Sequence, residues 1–164
     1  MGREEYQSLV KKFYIDIKRI AFSYCQNMED AEDITQNVFI KLLKYQGDFK
    51  DELHIKKWLV KVTVNESRSL WRSFWKQSVI YKLPLKKKDV IVNDERIDAL
   101  KEEIENLNPR YRMIVFLFYY ENYSAREIAE IIGNSENVVF KLLQRARDRI
   151  RKNMIKRGYT NKDE

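Results

Sequence analysis

The chain has 164 residues, 44 % apolar and 35 % charged, with 32 Lys and Arg against 25 Asp and Glu, a net charge of +7. That length holds one domain or two small ones, and four Gly and two Pro leave so few helix breakers that the chain reads as mostly helix. A lone Cys25 and a lone His54 exclude a disulfide framework, a Cys-based zinc site and a His-rich metal site; no run approaches ~20 apolar residues, and with the polar start Met1 to Tyr6 no secretory leader is expected.

Helical spacing of Tyr6, Leu9, Val10, Phe13, Ile17, Ile20, Ala21 and Tyr24 predicts an amphipathic helix from about Arg3 to Cys25. Asn27 is a good N-cap, and the acids that follow it suit the positive end of a helix dipole. That second helix runs to about Tyr45, with Ala31, Ile34, Val38 and Leu42 inward, and Gln46-Gly47-Asp48 ends it. A third helical segment spans about Leu53 to Trp75, with Trp58, Leu59, Val62 and Leu70 inward. Thr63-Val64-Asn65 weakens it, so a bend or short loop is expected there. Its end is basic and aromatic: Arg68, Trp71, Arg72, Phe74, Trp75 and Lys76.

Helical periodicity is lost from 76 to about 94, around Pro84 and Lys86-Lys87-Lys88. This stretch reads as a flexible linker, which divides the chain into 1–76, a linker 77–94, a second domain 95–158 and a tail 159–164. Ile97, Leu100, Ile104 and Leu107 then space as one helical face. Asn108-Pro109 opens the next helix, which is apolar nearly all round from Met113 to Tyr120 and should be the central buried helix of its domain. Ser124-Ala125-Arg126-Glu127 is a capping box, Gly133 a helix stop, and Ser135 the cap of a long last helix to about Arg157.

From Ser124 to about Arg149 the layout is that of a helix-turn-helix. Val139, Leu142, Leu143, Ala146 and Ile150 make the inner face of the last helix. Asn137, Phe140, Lys141, Gln144, Arg145 and Asp148 then face outward. A duplex major groove admits one helix, whose Lys, Gln and Arg can read base edges there. Arg147, Arg149 and Arg151 can hold phosphates by charge. Phe140 either packs on a neighbour or meets a thymine methyl. The basic balance of the chain agrees with a nucleic-acid partner.

Two sets of residues carry a family resemblance. Glu127-Ile128-Ala129 with Gly133, Val139 and Arg145-Ala146-Arg147, preceded by Leu107-Asn108-Pro109-Arg110-Tyr111-Arg112, resembles region 4 of the extracytoplasmic-function (ECF) sigma factors of bacterial RNA polymerase. Ala31-Glu32-Asp33-Ile34-Thr35-Gln36-Asn37-Val38-Phe39, with Trp58-Leu59 and Asn65 beyond it, is similar to their region 2. Val62-Thr63-Val64 departs from the common Ile-Ala pair, Phe140 stands where a basic residue is frequent, and Asn137 where a small one is.

The resemblance implies roles. Asp33, Gln36, Asn37 and Ile40 form one polar stripe with an apolar anchor, which would grip the clamp helices of the polymerase largest subunit. Asn65, Arg68, Trp71, Arg72 and Trp75 would read the −10 element, because aromatic and cationic side chains hold unstacked bases well. One of Trp71, Phe74 and Trp75 belongs to the core instead. Asn137, Phe140, Lys141, Gln144, Arg145 and Arg147 would meet the −35 element. Expected partners are core RNA polymerase (clamp helices and flap), promoter DNA and an anti-sigma factor. No metal, other cofactor, enzyme activity or membrane insertion is expected, and the cytoplasm is the expected compartment.

The fold expected is all-α: two small helical domains, the second with a helix-turn-helix. A stand-alone helix-turn-helix regulator is the alternative, and it leaves the first half unexplained. A nucleic-acid enzyme using Glu29, Asp30, Glu32 and Asp33 as metal ligands would need a second acidic cluster pointing at that helix.

Overall fold

The structure, a computed structural model, describes residues 2–75 and 95–159, the last three of the first segment by backbone alone. Seven α-helices make up its regular structure among the described residues: α1 (Arg3–Cys25), α2 (Met28–Lys44), α3 (Glu52–Trp75), α4 (Glu95–Glu105), α5 (Pro109–Tyr119), α6 (Ala125–Ile132) and α7 (Glu136–Lys156). They form two compact units, one built on α1, α2 and α3, the other on α4, α5, α7 and the larger part of α6. The expected linker 77–94 lies outside the described residues.

In the first unit the three helices pack pairwise. α1 buries Leu9, Phe13, Ile17, Ile20, Ala21 and Tyr24, and only Tyr6 and Val10 of the predicted stripe stay at its margin. Gln26 ends α1 in the left-handed region at φ 52°, its N–H on the Phe22 carbonyl. Asn27 caps α2 as expected: its Oδ1 accepts from the N–H groups of Glu29 (2.9 Å) and Asp30 (3.1 Å). Below the cap, Ala31, Ile34, Val38 and Leu42 are buried, and each side chain of Leu or Ile size contributes about 1.5–3 kcal/mol by leaving water.

α3 corrects two expectations. It runs unbroken through Thr63-Val64-Asn65. The Thr63 hydroxyl donates to the Leu59 carbonyl at 2.7 Å, and Ser67 to the Thr63 carbonyl at 2.8 Å. Both hydroxyls are therefore satisfied inside the helix that they would otherwise compete with. The inner face is Ile55, Leu59, Val60 and Val64, while Trp58, Val62 and Leu70 are half-buried. α3 packs on both α1 and α2, so its buried arc is wider than one stripe and centred elsewhere.

The second unit also departs from its simplest pattern. On α4 the inward residues are Ala99 and Glu103, while Ile97 and Leu100 lie exposed. The cause is polar. Glu103 accepts from Asn153 Nδ2 at 2.7 Å and pairs with Arg157 Nε at 2.9 Å, so its buried charge is matched by two partners on the last helix. Asn108 caps α5 by accepting from the Arg110 N–H at 3.1 Å, with Pro109 at the first helical position. α5 buries Met113, Ile114, Val115 and Leu117, but it is not buried all round: Tyr119 at its end and the C-cap Tyr120 are exposed. Arg112 is buried too, its Nη1 donating to the carbonyls of Glu105 (3.0 Å) and Leu107 (2.7 Å). It thereby satisfies carbonyls that the end of α4 leaves open.

Candidate nucleic-acid interface

Three outward faces gather the predicted functional residues. The first lies on α2. Glu32 fixes that helix to α1 by accepting from Lys18 Nζ and the Tyr14 hydroxyl. Those two bonds hold the Glu32 carboxyl below its ordinary range, and the same contact pushes the Tyr14 hydroxyl up to about 12. Held this way, α2 presents Asp33, Gln36, Asn37 and Ile40 to solvent as expected, with Ile40 45 % exposed. One turn further, Leu43 is 59 % exposed and extends the row beyond the predicted set. Its spacing of seven from Gln36 was the available signal. The acids at the start of α2 do not form a metal cage: among the described residues no group of three or more ligand-type side chains converges. Burial pushes the Asp30 carboxyl up, aided by the charges of Asp33 and Glu29.

α3 carries the second face. Asn65 and Arg72 are exposed on one side of it, seven residues apart, with Lys61 and Ser69 in the same row. Trp71 is not brought into that row. It sits on the flank towards α1, 37 % exposed, its ring edge-on to Tyr24 with centroids 6.3 Å apart. Arg68 is half-buried on the same flank. The side chains of Phe74 and Trp75 lie outside the described residues. An aromatic cluster that the sequence reading missed stands at the other end of the row. Tyr45 stacks on Phe49 (4.6 Å) and meets Trp58 (5.0 Å), and Phe49 meets His54 (5.5 Å). Trp58 precedes Asn65 by two helical turns, which is the pattern that could have revealed it.

α7 carries the third face. Gly133, at φ +67°, makes the turn out of α6, and Ser135 caps α7 by accepting from the Val138 N–H at 3.4 Å. The Ser124–Glu127 capping box starts α6, with Glu127 N–H on Ser124 Oγ at 3.2 Å and Ser124 N–H on Glu127 Oε2 at 3.0 Å. Val139, Leu142, Leu143 and Ala146 are buried. Asn137, Lys141, Gln144 and Arg145 point outward, and Phe140 stands 49 % exposed among them. Arg147 is exposed on a flank of this face, its Nη1 3.5 Å from the Tyr119 hydroxyl. Arg157 belongs to no outward row, because Glu102 and Glu103 hold it against α4.

Residues 9–77 match the family profile Sigma-70 region 2, and residues 97–150 match Sigma-70, region 4. The ECF RNA polymerase sigma factor SigW of Bacillus subtilis (strain 168) is 21 % identical over 174 residues, 93 % of this chain and 90 % of that protein. The RNA polymerase sigma factor SigV of the same organism is 31 % identical over 144 residues, 80 % of each chain. The chain belongs to the sigma-70 family, among its ECF members. Two matched regions in one chain favour a sigma factor over a stand-alone helix-turn-helix regulator. The fold agrees: the co-crystal structure of the sigma factor RpoE in complex with the anti-sigma factor NepR from Bartonella quintana aligns with TM-score 0.73. It does so at 18 % identity over 91 % of this chain and 96 % of that one. In this sigma factor the region 2 match takes in α2, α3 and most of α1, and the region 4 match runs from α4 into α7.

Proposed function

We propose that this ECF sigma factor directs promoter-specific initiation by binding core RNA polymerase through residues 1–76 and the −35 element through residues 95–158. The observation that carries the reading is the contrast of the outward faces: an acid, two amides and an apolar anchor on α2, and a basic reading face on α7. Asp33, Gln36, Asn37 and Ile40, extended by Leu43, dock on the clamp helices of the polymerase. The α3 row with Asn65 and Arg72 takes the melted −10 strand. Arg68 and Trp71 border that row, Trp75 is assigned with them to the −10 element, and Trp58 with its aromatic neighbours offers bases a stacking surface at the other end. Each base stacked on an aromatic ring contributes about 1–3 kcal/mol, which offsets unpairing costs of a few kcal/mol without any nucleotide hydrolysis. On α7, Lys141, Gln144 and Arg145 read base edges, Phe140 meets a thymine methyl, Asn137 borders them, and Arg147 holds the backbone.

The protein acts as an initiation factor rather than an enzyme, in the cytoplasm where polymerase and promoters are. Among the described residues no helix is long and apolar enough to cross a membrane. An anti-sigma factor, the partner named for the RpoE structure, is the regulator we assign to this chain as well. Purified protein added to core RNA polymerase on genomic DNA tests the function directly. Sequencing of transcript 5′ ends should give discrete starts that share −10 and −35 sequences. Starts no more specific than those of core enzyme alone would overturn the reading.

A further inference from the structure

Lys41 follows Ile40 in sequence and would be assigned to the polymerase-facing row by position alone. Its side chain goes elsewhere. Lys41 Nζ lies 2.5 Å from Glu66 Oε1, which ties α2 to α3. Glu66 is the residue after Asn65, so a carboxylate stands at the edge of the row proposed to take the −10 strand. The two partners differ in freedom: the Glu66 side chain is 21 % exposed and the Lys41 side chain 52 %. Glu66 is therefore the more buried charge and Lys41 the more exposed one that covers it.

We infer that Lys41 serves the strand-reading helix rather than the polymerase: it neutralises Glu66, so that phosphates approaching Asn65 and Arg72 meet no net negative charge there. The inference rests on the α3 reading above. Neighbouring residues on a helix put Glu66 within one Debye length, about 10 Å at 0.1 M salt, of a strand held at Asn65. An uncompensated carboxylate at that range repels each nearby phosphate, and the paired one does not. Lys41 keeps about half of its side chain in water, where solvent screens the pair, so its worth to folding is modest. Its worth to DNA binding comes from where it stands.

The experiment uses the full chain in complex with core polymerase. The probe is a single-stranded oligonucleotide carrying the non-template −10 sequence found by the initiation mapping. Lys41→Met should weaken capture of the strand about threefold at 0.1 M salt, with the loss shrinking as salt is raised towards 1 M. Glu66→Gln should bind at least as tightly as wild type. The double variant should return to wild-type affinity, because removing the carboxylate removes the need for its counter-charge. Core-polymerase affinity and melting temperature, measured on all four proteins, should stay together. A double variant as defective as Lys41→Met, a Lys41→Met equal to wild type, or a loss of core affinity in Lys41→Met would each overturn the inference while leaving the α3 reading intact. Wild-type holoenzyme that does not hold the strand would overturn both.

Discussion

α2 and α7 are built by the same rule and present unlike surfaces. Each buries one apolar stripe, Ala31, Ile34, Val38 and Leu42 in the first and Val139, Leu142, Leu143 and Ala146 in the second. Outward, α2 shows Asp33, two amides and the apolar pair Ile40 and Leu43, whereas α7 shows Lys141, Gln144 and Arg145 with Arg149 and Arg151 beyond. An apolar centre with a polar rim is what a protein helix can seat against, and a cationic row is what phosphates attract. The stripe facing in fixes the unit. The stripe facing out chooses the class of partner, and the two can change independently.

Neighbouring leucines give the sharpest test of that separation. Leu42 is fully buried and Leu43 is 59 % exposed. Leu42→Ala should cost about 2–5 kcal/mol of stability in denaturant unfolding. Leu43→Ala and Asp33→Lys should stay within about 0.5 kcal/mol of wild type by the same measurement, yet weaken a core-polymerase pull-down. Equal destabilisation by the two leucine variants would break the inside–outside distinction on α2.

On α7 the separation is between reading and holding. Arg145→Ala should lower the preference for a cognate over a scrambled −35 duplex by roughly 1–3 kcal/mol, whereas Arg151→Ala should weaken both duplexes alike at fixed salt. If Arg145→Ala weakens both by one factor, that arginine holds a phosphate only. α3 stands between the two helices in character. Asn65→Ala holoenzyme should bind a promoter with a mismatched −10 bubble nearly as wild type does and lose more on fully paired DNA. A defect of one size on both templates would remove Asn65 from strand opening.

Much of this could be read before any coordinates, and the parts that could not share a cause. The inner stripes of α1, α2 and α7 and the caps at Asn27, Asn108, Ser124 and Ser135 follow from helix period and local hydrogen bonding, so they were legible. The outward row of α7 followed for the same reason. What failed depended on residues distant in the chain. The unbroken course of α3 was decided by burial of Thr63 and Val64 between two other helices. The inward turn of Glu103 was decided by Asn153, 50 residues on, and by Arg157. The place of Trp71 was decided by Tyr24, on another helix. Periodicity carries no information about partners of that kind.

The smallest effect expected concerns the anchoring of α2 rather than its surface. The folded Glu32 carboxyl sits below its ordinary value of 4.5, so its contribution is present above that value and is lost as pH falls through the folded one. The Tyr14 hydroxyl is raised to about 12, so its share is present below 10 and is lost as pH climbs through 12. Glu32→Gln should flatten both arms of the stability–pH curve while leaving the α7 face untouched in duplex binding. Arms that stay as steep as in wild type would show that other groups set them.

The clasp of Arg157 and Asn153 on α4 bears on how sigma factors can be recombined. Sequence similarity to region 4 fades at residue 150, yet the contacts that tie the end of α7 to the start of its unit lie beyond that point. A chimera that borrows this region by its matched limits, 97–150, would leave Glu103 buried and stripped of both partners. The transferable piece ends no earlier than Arg157, and a graft cut shorter should fail through its first helix, far in sequence from the cut.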